Sequence, residues 1–226
     1  NLCNIKMKYK ELAAVITVRK GSQRVKNKNF KKFAGKNLLI HKIEMLKNIK
    51  GIEEIIINTD SDRAIQIAKN LKVNFFRREP YFASSKCPNS EFWANIAKNT
   101  RSEYIMFTHC TNPLVRKETY QKFLEIFEKK KNKYDSFNSV SEVKEFLIKK
   151  NKAINFNFSK APNSQDLPDI IKLNFAISIL STKLMYKKKS LVGNKPFFIK
   201  LDPVEGFDVN TPLEFKFAEY LFKKRN

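Results

Sequence analysis

The stretch that most constrains this chain is Ala13-Ala14-Val15-Ile16-Thr17-Val18, followed at once by Arg19-Lys20-Gly21-Ser22-Gln23-Arg24-Val25-Lys26-Asn27-Lys28-Asn29. A short apolar, β-branched run that breaks into turn residues reads as a buried strand. The loop it enters has the composition of an anion cradle. Gly21 lets backbone N–H groups approach an anion, the Ser22 hydroxyl can donate to it, and Arg19, Arg24 and Lys28 can neutralise a polyphosphate. The spacing matches neither the P-loop pattern Gly-x-x-x-x-Gly-Lys-Ser/Thr nor the dinucleotide pattern Gly-x-Gly-x-x-Gly. On its own the loop reads equally as a phosphate cradle or as a basic surface turn.

The following segments place that loop in an α/β context. Apolar residues at helical intervals over Leu38–Ile49 predict a crossover helix, and Glu54–Asn58 predicts a second buried strand closed by Thr59-Asp60-Ser61-Asp62. A helix over Arg63–Leu71 and a short strand over Val73–Phe76 continue the alternation. Strand, helix, strand, helix, strand implies a parallel sheet with right-handed crossovers, whose ligands sit beyond the carboxyl ends of the strands. The opening loop, Asp60 and Arg77-Arg78 all fall at that end. Further on, a helix is expected over Ser90–Lys98, a strand over Tyr104–Thr108, a helix over Glu118–Lys130 and a strand over Ser136–Val140. From Ser141 to Ile171 the pattern weakens and Pro162 and Pro168 intervene, which predicts an excursion or a subunit-contacting arm. Strand character returns over Leu173–Leu180 and Phe197–Leu201 around a short helix at Thr182–Lys189. A last helix is expected to run to about Phe222, with Thr211 as its N-cap and Pro212 in its first turn.

Composition narrows the function classes. At 226 residues the chain suits one α/β domain, with residues 141–171 as its appendage, and it is long enough for a sizeable core. No apolar run approaches the length of a membrane span, and the first residues lack a signal-peptide pattern, so a cytoplasmic protein is expected. The chain opens on Asn1 rather than Met, which is compatible with excision from a longer protein or with a start at Met7. Cys3, Cys87 and Cys110 show neither metal-ligand spacing nor a disulfide framework, which favours a reducing compartment. The net charge of +23 raises the possibility of nucleic acid as partner, but the lysines are spread over every segment. That distribution favours a solvated basic surface around one focused anionic pocket over a polymer-binding stripe.

Several residues in strand-end positions can carry chemistry. Asp208 with Asn210 two residues on, directly after an apolar strand, suits a hard divalent cation, and equally suits a turn that caps the next helix. Arg78 at a strand end suits an anion, and His109 follows a buried strand where it can hydrogen-bond a base or substrate. Cys110 beside His109 is not a nucleophile–base pair, because adjacent strand residues face opposite ways.

Taken in order, five pieces carry a resemblance: Arg19-x-Gly21-Ser22 with Lys28-Asn29, Asn58-Thr59-Asp60, Arg78 before Ala83-Ser84, Thr111-Asn112-Pro113-Leu114, and Phe207-Asp208-Val209-Asn210-Thr211. From about Ala13 to Leu221 the chain resembles the acylneuraminate cytidylyltransferases, the CMP-sialic acid synthetases and their relatives that activate legionaminic, pseudaminic and 3-deoxy-octulosonic acids. The resemblance implies a Rossmann-like, mononucleotide-binding nucleotidyltransferase fold, mostly parallel, with helices on both sheet faces. It implies CTP, Mg²⁺ and a small acidic sugar as ligands, a homodimer, and a product used in surface-glycan synthesis. Carried over by position, Arg19, Gly21, Ser22, Arg24, Lys28 and Asn29 would hold the nucleotide, Lys28 would stabilise charge at the α-phosphate, and Arg78 would help recognise cytosine. His109, Thr111 and Asn174 would line the acceptor pocket, and Asp208 with Asn210 would hold the metal.

The departures from the family pattern cluster. Asn210 stands for a second metal aspartate, Phe175 for the glycine of an Asn-Gly-Ala strand start, His109 for a glutamine and Asn112 for a serine. Such changes point to an unusual acceptor, a sugar phosphate or phosphonate among the alternatives. A non-catalytic nucleotide- or RNA-binding module is the rival from another class.

Overall fold

The structure is a computed structural model that describes residues 11–21 and 25–225. Its centre is one seven-stranded sheet. In chain order the elements are β1 (Leu12–Val18), a small hairpin of β2 (Lys32–Phe33) and β3 (Lys36–Asn37), α1 (Leu38–Lys47), β4 (Glu54–Thr59), α2 (Asp62–Asn70), β5 (Asn74–Arg77), α3 (Pro80–Ala83) and α4 (Asn89–Lys98). There follow β6 (Tyr104–Thr108), α5 (Lys117–Lys130), β7 (Ser136–Val143), a second hairpin of β8 (Ile148–Lys149) and β9 (Lys152–Ala153), β10 (Ile170–Ser181), α6 (Thr182–Lys188), β11 (Pro196–Lys200) and α7 (Pro212–Arg225).

The sheet order is β11-β7-β10-β6-β1-β4-β5. β1 pairs in parallel with β4 and β6, β4 with β5, and β11 with β7, while β10 is antiparallel to both β6 and β7. β10 alone therefore runs against the other strands.

Two apolar clusters explain why β1 is apolar at every position but Thr17, which lines a cavity. Its residues Leu12, Ala14, Ile16 and Val18 face one cluster with α1, α2, α5 and α7, and Ala13 and Val15 face the other with α4 and α6. A strand buried on both faces needs a continuous apolar run, and the crossover helices supply the cover. The expected arrangement of helices on both faces is thus observed.

Two expectations need correcting at their edges. The third strand lies one residue later than predicted, so that it ends on Arg77. The segment 141–171 is less irregular than its sequence suggested. β7 runs on to Val143 and β10 starts at Ile170, and the two pair beyond the main sheet, Ile170 opposite Val143 and Leu173 opposite Val140. Between them lie the β8–β9 hairpin and two single 3-10 turns at Phe158–Lys160 and Ser164–Asp166. The Asn and Pro residues there mark turns, while the ladder is carried by backbone bonds that propensity underrates.

At the far end, α7 begins as expected. Thr211 Oγ1 accepts from Glu214 N at 3.2 Å, and the Glu214 carboxylate accepts from the N–H groups of Thr211 and Asn210, both at 2.7 Å. This reciprocal box fixes the direction in which the chain leaves the Asp208 turn.

Candidate active site

A cavity of about 480 Å³ lies at the carboxyl ends of β1, β5 and β6, lined by Arg19, Arg78 and His109 just past those ends. The size is that of a small-molecule site. On leaving β1 the chain places Arg19 on the cavity wall, then turns at Gly21, whose φ of 78° is the left-handed conformation that favours glycine. Asp60, at the end of β4, pins this turn by accepting from Lys20 N at 2.7 Å. Ser22 and Arg24 lie outside the described residues. The chain returns at the buried Val25 and makes a 3-10 turn over Lys28–Phe30, entered through Asn27 at φ 54°. Lys28 and Asn29 line the cavity from this turn.

Each of these side chains reaches another element. Lys28 Nζ donates to the carbonyl of Val209, joining the first loop to the last. Asn29 is buried and its Oδ1 accepts from Cys110 Sγ at 3.3 Å. Arg78 is buried too. Its Nε donates to Asn58 Oδ1 and its Nη2 to Asn58 O, both at 2.7 Å, while the guanidinium lies 4.5 Å from the centre of the Phe92 ring. Burial pulls the Arg78 pKa down to about 10, with Asp60 opposing, so the group remains a cation at neutral pH. Its neighbour Arg77 does not join the site: it is exposed and pairs with Asp62 at 2.6 Å on the surface. Successive strand residues face opposite ways, so only one member of the Arg77-Arg78 pair can turn inward.

The opposite wall carries His109, Thr111, Asn174, Phe175, Asp208 and Asn210. His109 Nδ1 lies 3.5 Å from Thr17 Oγ1, and the ring stands edge-on to Phe107 at 4.9 Å. Burial lowers its pKa to about 4, the Asp208 carboxylate partly opposing, so this ring is neutral at neutral pH and acts as a hydrogen-bonding group rather than a charge. Cys110 faces away and its thiol is pushed up to about 11 by burial, in keeping with the exclusion of a Cys–His pair.

Thr111 holds the last loop in place, its carbonyl accepting from Val209 N at 2.8 Å. Asn174 was expected to contact substrate, but its amide is already engaged. Oδ1 accepts from Ser139 Oγ at 2.5 Å and from Ala176 N at 3.2 Å, and Nδ2 donates to Ser141 Oγ at 3.0 Å. Three of its four hydrogen-bonding positions are thus taken, which fixes the amide in the cavity wall with one Nδ2 hydrogen left over.

The backbone of the Asp208 turn is tightly packed. Gly206 packs so tightly that a Cβ there would sit 2.5 Å from Ser141 Oγ. Glu205 is buried and pairs with Arg116 at 3.0 Å. Asn210 Nδ2 donates to Asp208 Oδ2 at 2.8 Å, whereas Asp208 Oδ1 is buried with no described hydrogen-bond partner. A buried carboxylate oxygen without a donor fits a cation. The donor set is small, since no group of three or more His, Cys, Asp or Glu able to hold a metal exists among the described residues. One carboxylate oxygen completed by phosphate oxygens and waters is nevertheless a usual mode for Mg²⁺.

Lys42 was missed from the sequence. It is 2% exposed, and its ammonium donates to Asn112 O at 3.1 Å and Tyr120 OH at 2.8 Å beneath the site. The signal was available: in α1 it lies four residues from both Leu38 and Leu46, inside the buried stripe. Asn112 in turn donates to Phe207 O at 3.3 Å, so its amide ties the chain leaving β6 to the Asp208 turn.

An open, mostly parallel α/β sheet with a cation-lined cavity across its carboxyl edge defines a nucleotide-binding class of enzyme fold. The sequence profile described as Cytidylyltransferase matches residues 13–170, and the chain belongs to that family. Over 96% of its length it is 26% identical to the post-translational flagellin modification protein B of Campylobacter coli, covering 97% of that protein. It is 25% identical to the CMP-N,N'-diacetyllegionaminic acid synthase of Campylobacter jejuni, with 96% of this chain and 97% of the relative covered. Among solved structures, a CMP:2-keto-3-deoxy-manno-octonic acid synthetase complexed with CTP superposes with a TM-score of 0.70 at 14% identity, over 96% of this chain and all of the other. A 4-diphosphocytidyl-2C-methyl-D-erythritol synthase from Anaerococcus prevotii shares the fold at a TM-score of 0.68 and 15% identity, over 95% of this chain and 96% of that one.

Proposed function

We propose that this chain transfers CMP from CTP to an acidic, sialic-acid-like sugar and releases pyrophosphate, supplying an activated sugar for surface-glycan synthesis. One observation carries this: three cations, Arg19, Lys28 and Arg78, and a buried carboxylate oxygen, Asp208 Oδ1, that has no hydrogen-bond partner among the described residues, converge on one cavity at the carboxyl edge of the sheet. In-line displacement at phosphorus asks for positioning and charge neutralisation more than for covalent chemistry. A sugar hydroxyl oxygen forms a bond to the α-phosphorus while the α–β anhydride bond breaks. Its electron pair leaves on pyrophosphate and the hydroxyl proton passes to solvent.

In this reading Lys28 neutralises charge accumulating at the α-phosphate, and Arg19 with Gly21, Ser22, Arg24 and Asn29 holds the triphosphate and cytidine. Arg78 contacts the base. His109 and Thr111 face the acceptor, and Asn174 keeps that wall in shape. Asp208 would hold Mg²⁺ through Oδ1, with Asn210 beside it; the ion would draw charge from the phosphates. Among the described residues no helix is long and apolar enough to cross a membrane. With CTP as donor and no metal-ligand or disulfide spacing among the cysteines, the cytoplasm is the proposed site of action.

The segment 141–171 is proposed as the dimer contact, with a second copy as its occupant. Phe146 and Phe156 meet edge-on at 4.8 Å and Phe156 and Phe158 at 5.2 Å, and Phe158, Ile148 and Ile154 are more than half exposed at 60%, 58% and 57%. Exposed apolar side chains gathered around the β8–β9 hairpin ask for cover. Light scattering should give twice the chain mass, and Phe158→Asp should give the monomer; a monomeric parent protein would refute the contact.

The direct test is pyrophosphate release from CTP with a panel of 2-keto sugar acids, with and without Mg²⁺. Release with at least one acid, abolished by EDTA, is expected. No release with any acceptor, together with no CTP binding by calorimetry, would overturn the reading.

A further inference from the structure

Phe175 occupies a conformation that its side chain disfavours. Its φ is 55°, in the left-handed region that bulky residues rarely enter. The cause lies in its neighbours. On one side Asn174 is held by Ser139, Ser141 and its own bond to Ala176 N. On the other, Ala176 O accepts from Thr108 Oγ1 at 2.7 Å and Ile177 N donates to Ser139 Oγ at 2.9 Å. The pairing of β10 with β7 shifts register between Leu173 and Ser178, so the backbone must turn at 175 whatever residue stands there.

Glycine would make that turn at no steric cost, and a phenyl ring instead enters the cavity wall. The ring is half-buried, stands edge-on to the neutral His109 ring at 6.4 Å, and packs, as Phe92 does, against the cluster that holds Phe107. Strain kept at a ligand-facing position is a sign of function. Here the outcome is an apolar surface at the acceptor end of a cavity whose other end is cationic.

We infer that Phe175 is a specificity-determining residue that gives the acceptor an apolar platform and selects sugar acids presenting a methyl group to it over acids with a hydroxymethyl there. This rests on the cytidylyltransferase reading. Aromatic faces favour C–H groups, and a hydroxyl pressed against the ring would lose its water without gaining a partner.

The test compares two nine-carbon 2-keto sugar acids, one ending in CH₃ and one in CH₂OH, by kcat/KM and by saturation-transfer NMR. The parent protein should favour the methyl-terminated acid by about 10-fold or more. It should also saturate that methyl group selectively. Phe175→Gly should bring the ratio to within about 3-fold, Phe175→Leu should lie between, and the KM for CTP should stay within about 2-fold in both, which also reports an intact fold. Turnover without methyl preference, or a preference that survives Phe175→Gly, overturns the inference and leaves the activity standing. Selective methyl saturation that Phe175→Gly abolishes, without pyrophosphate release, upholds the platform and refutes the reaction. Neither binding nor turnover with either acid refutes both.

Discussion

On the wall built by Lys28, Asn29 and Arg78, polar side chains are tied across the fold: to the Val209 carbonyl, to Cys110, and to both the amide and carbonyl of Asn58. On the facing wall Asp208 Oδ1 has no described partner, His109 is an uncharged ring, and Phe175 holds a left-handed backbone. The first wall is finished before any ligand arrives, which is what a constant part of the reaction requires: phosphates and cytosine are the same at every turnover, and preorganised charge acts without reorganisation. The second wall is completed by what binds. Its unusual residues, His109, Phe175 and Asn210, lie at the end proposed for the acceptor and the metal.

Breaking the finished wall should have the largest effect. Lys28→Ala removes the cation that this reading sets at the α-phosphate and should lower kcat about 10²- to 10³-fold, with a modest loss of stability because the carbonyl of the buried Val209 loses a donor. Turnover at the parent rate would remove Lys28 from the mechanism. Arg78→Ala should follow, raising the KM for CTP about 10-fold and costing about 1–3 kcal/mol in a denaturant titration, since it strands the buried Asn58 amide. Arg78→Lys should rescue little, because one ammonium cannot reproduce a planar fork seated on Phe92. A full rescue would mean that charge alone is used.

The unfinished wall is sharpened by restoring a charge. Asn210→Asp exchanges the 2.8 Å donation to Asp208 for a second carboxylate beside it. Without a divalent ion the two charges repel and stability should fall slightly; with it they form a stronger site. The Mg²⁺ concentration for half-maximal rate should drop about 10-fold, a change of about 1.4 kcal/mol in binding. An unchanged metal dependence would separate Asn210 from the metal and leave Asp208 alone with it.

How far the sequence reached follows from the same contrast. All seven sheet strands were legible, the central ones such as β1 from nearly continuous apolar runs, and the N-cap at Thr211 was legible from the proline that follows it. The extension of β7 and β10 past Val140 was not, since exposed residues such as Glu142 and Lys172 in that ladder leave no apolar pattern. In the site, residues reached through strand ends were found, and those reached through packing were not. Lys42 acts from a helix interior, and Gly206 matters because Asn174 and Ser141 touch it, a contact between segments far apart in the chain. The departures Phe175 and Asn210 were visible as letters, but the left-handed backbone of the one and the donation of the other to Asp208 belong to three dimensions.

The smallest effect should come one residue from one of the largest. Arg77 and Arg78 are identical in type and adjacent in sequence, yet Arg77 meets Asp62 with side chains 58% and 84% exposed, while Arg78 is 5% exposed under Phe92. Exposed pairs of this kind are screened by water and salt and contribute little. Arg77→Ala should therefore leave the KM for CTP, the acceptor preference and the Tm unchanged within error. A loss of CTP affinity comparable to that of Arg78→Ala would mean that the basic edge acts as a diffuse field rather than through one seated guanidinium. In that case added salt would weaken CTP binding in the parent protein and less so in the variant.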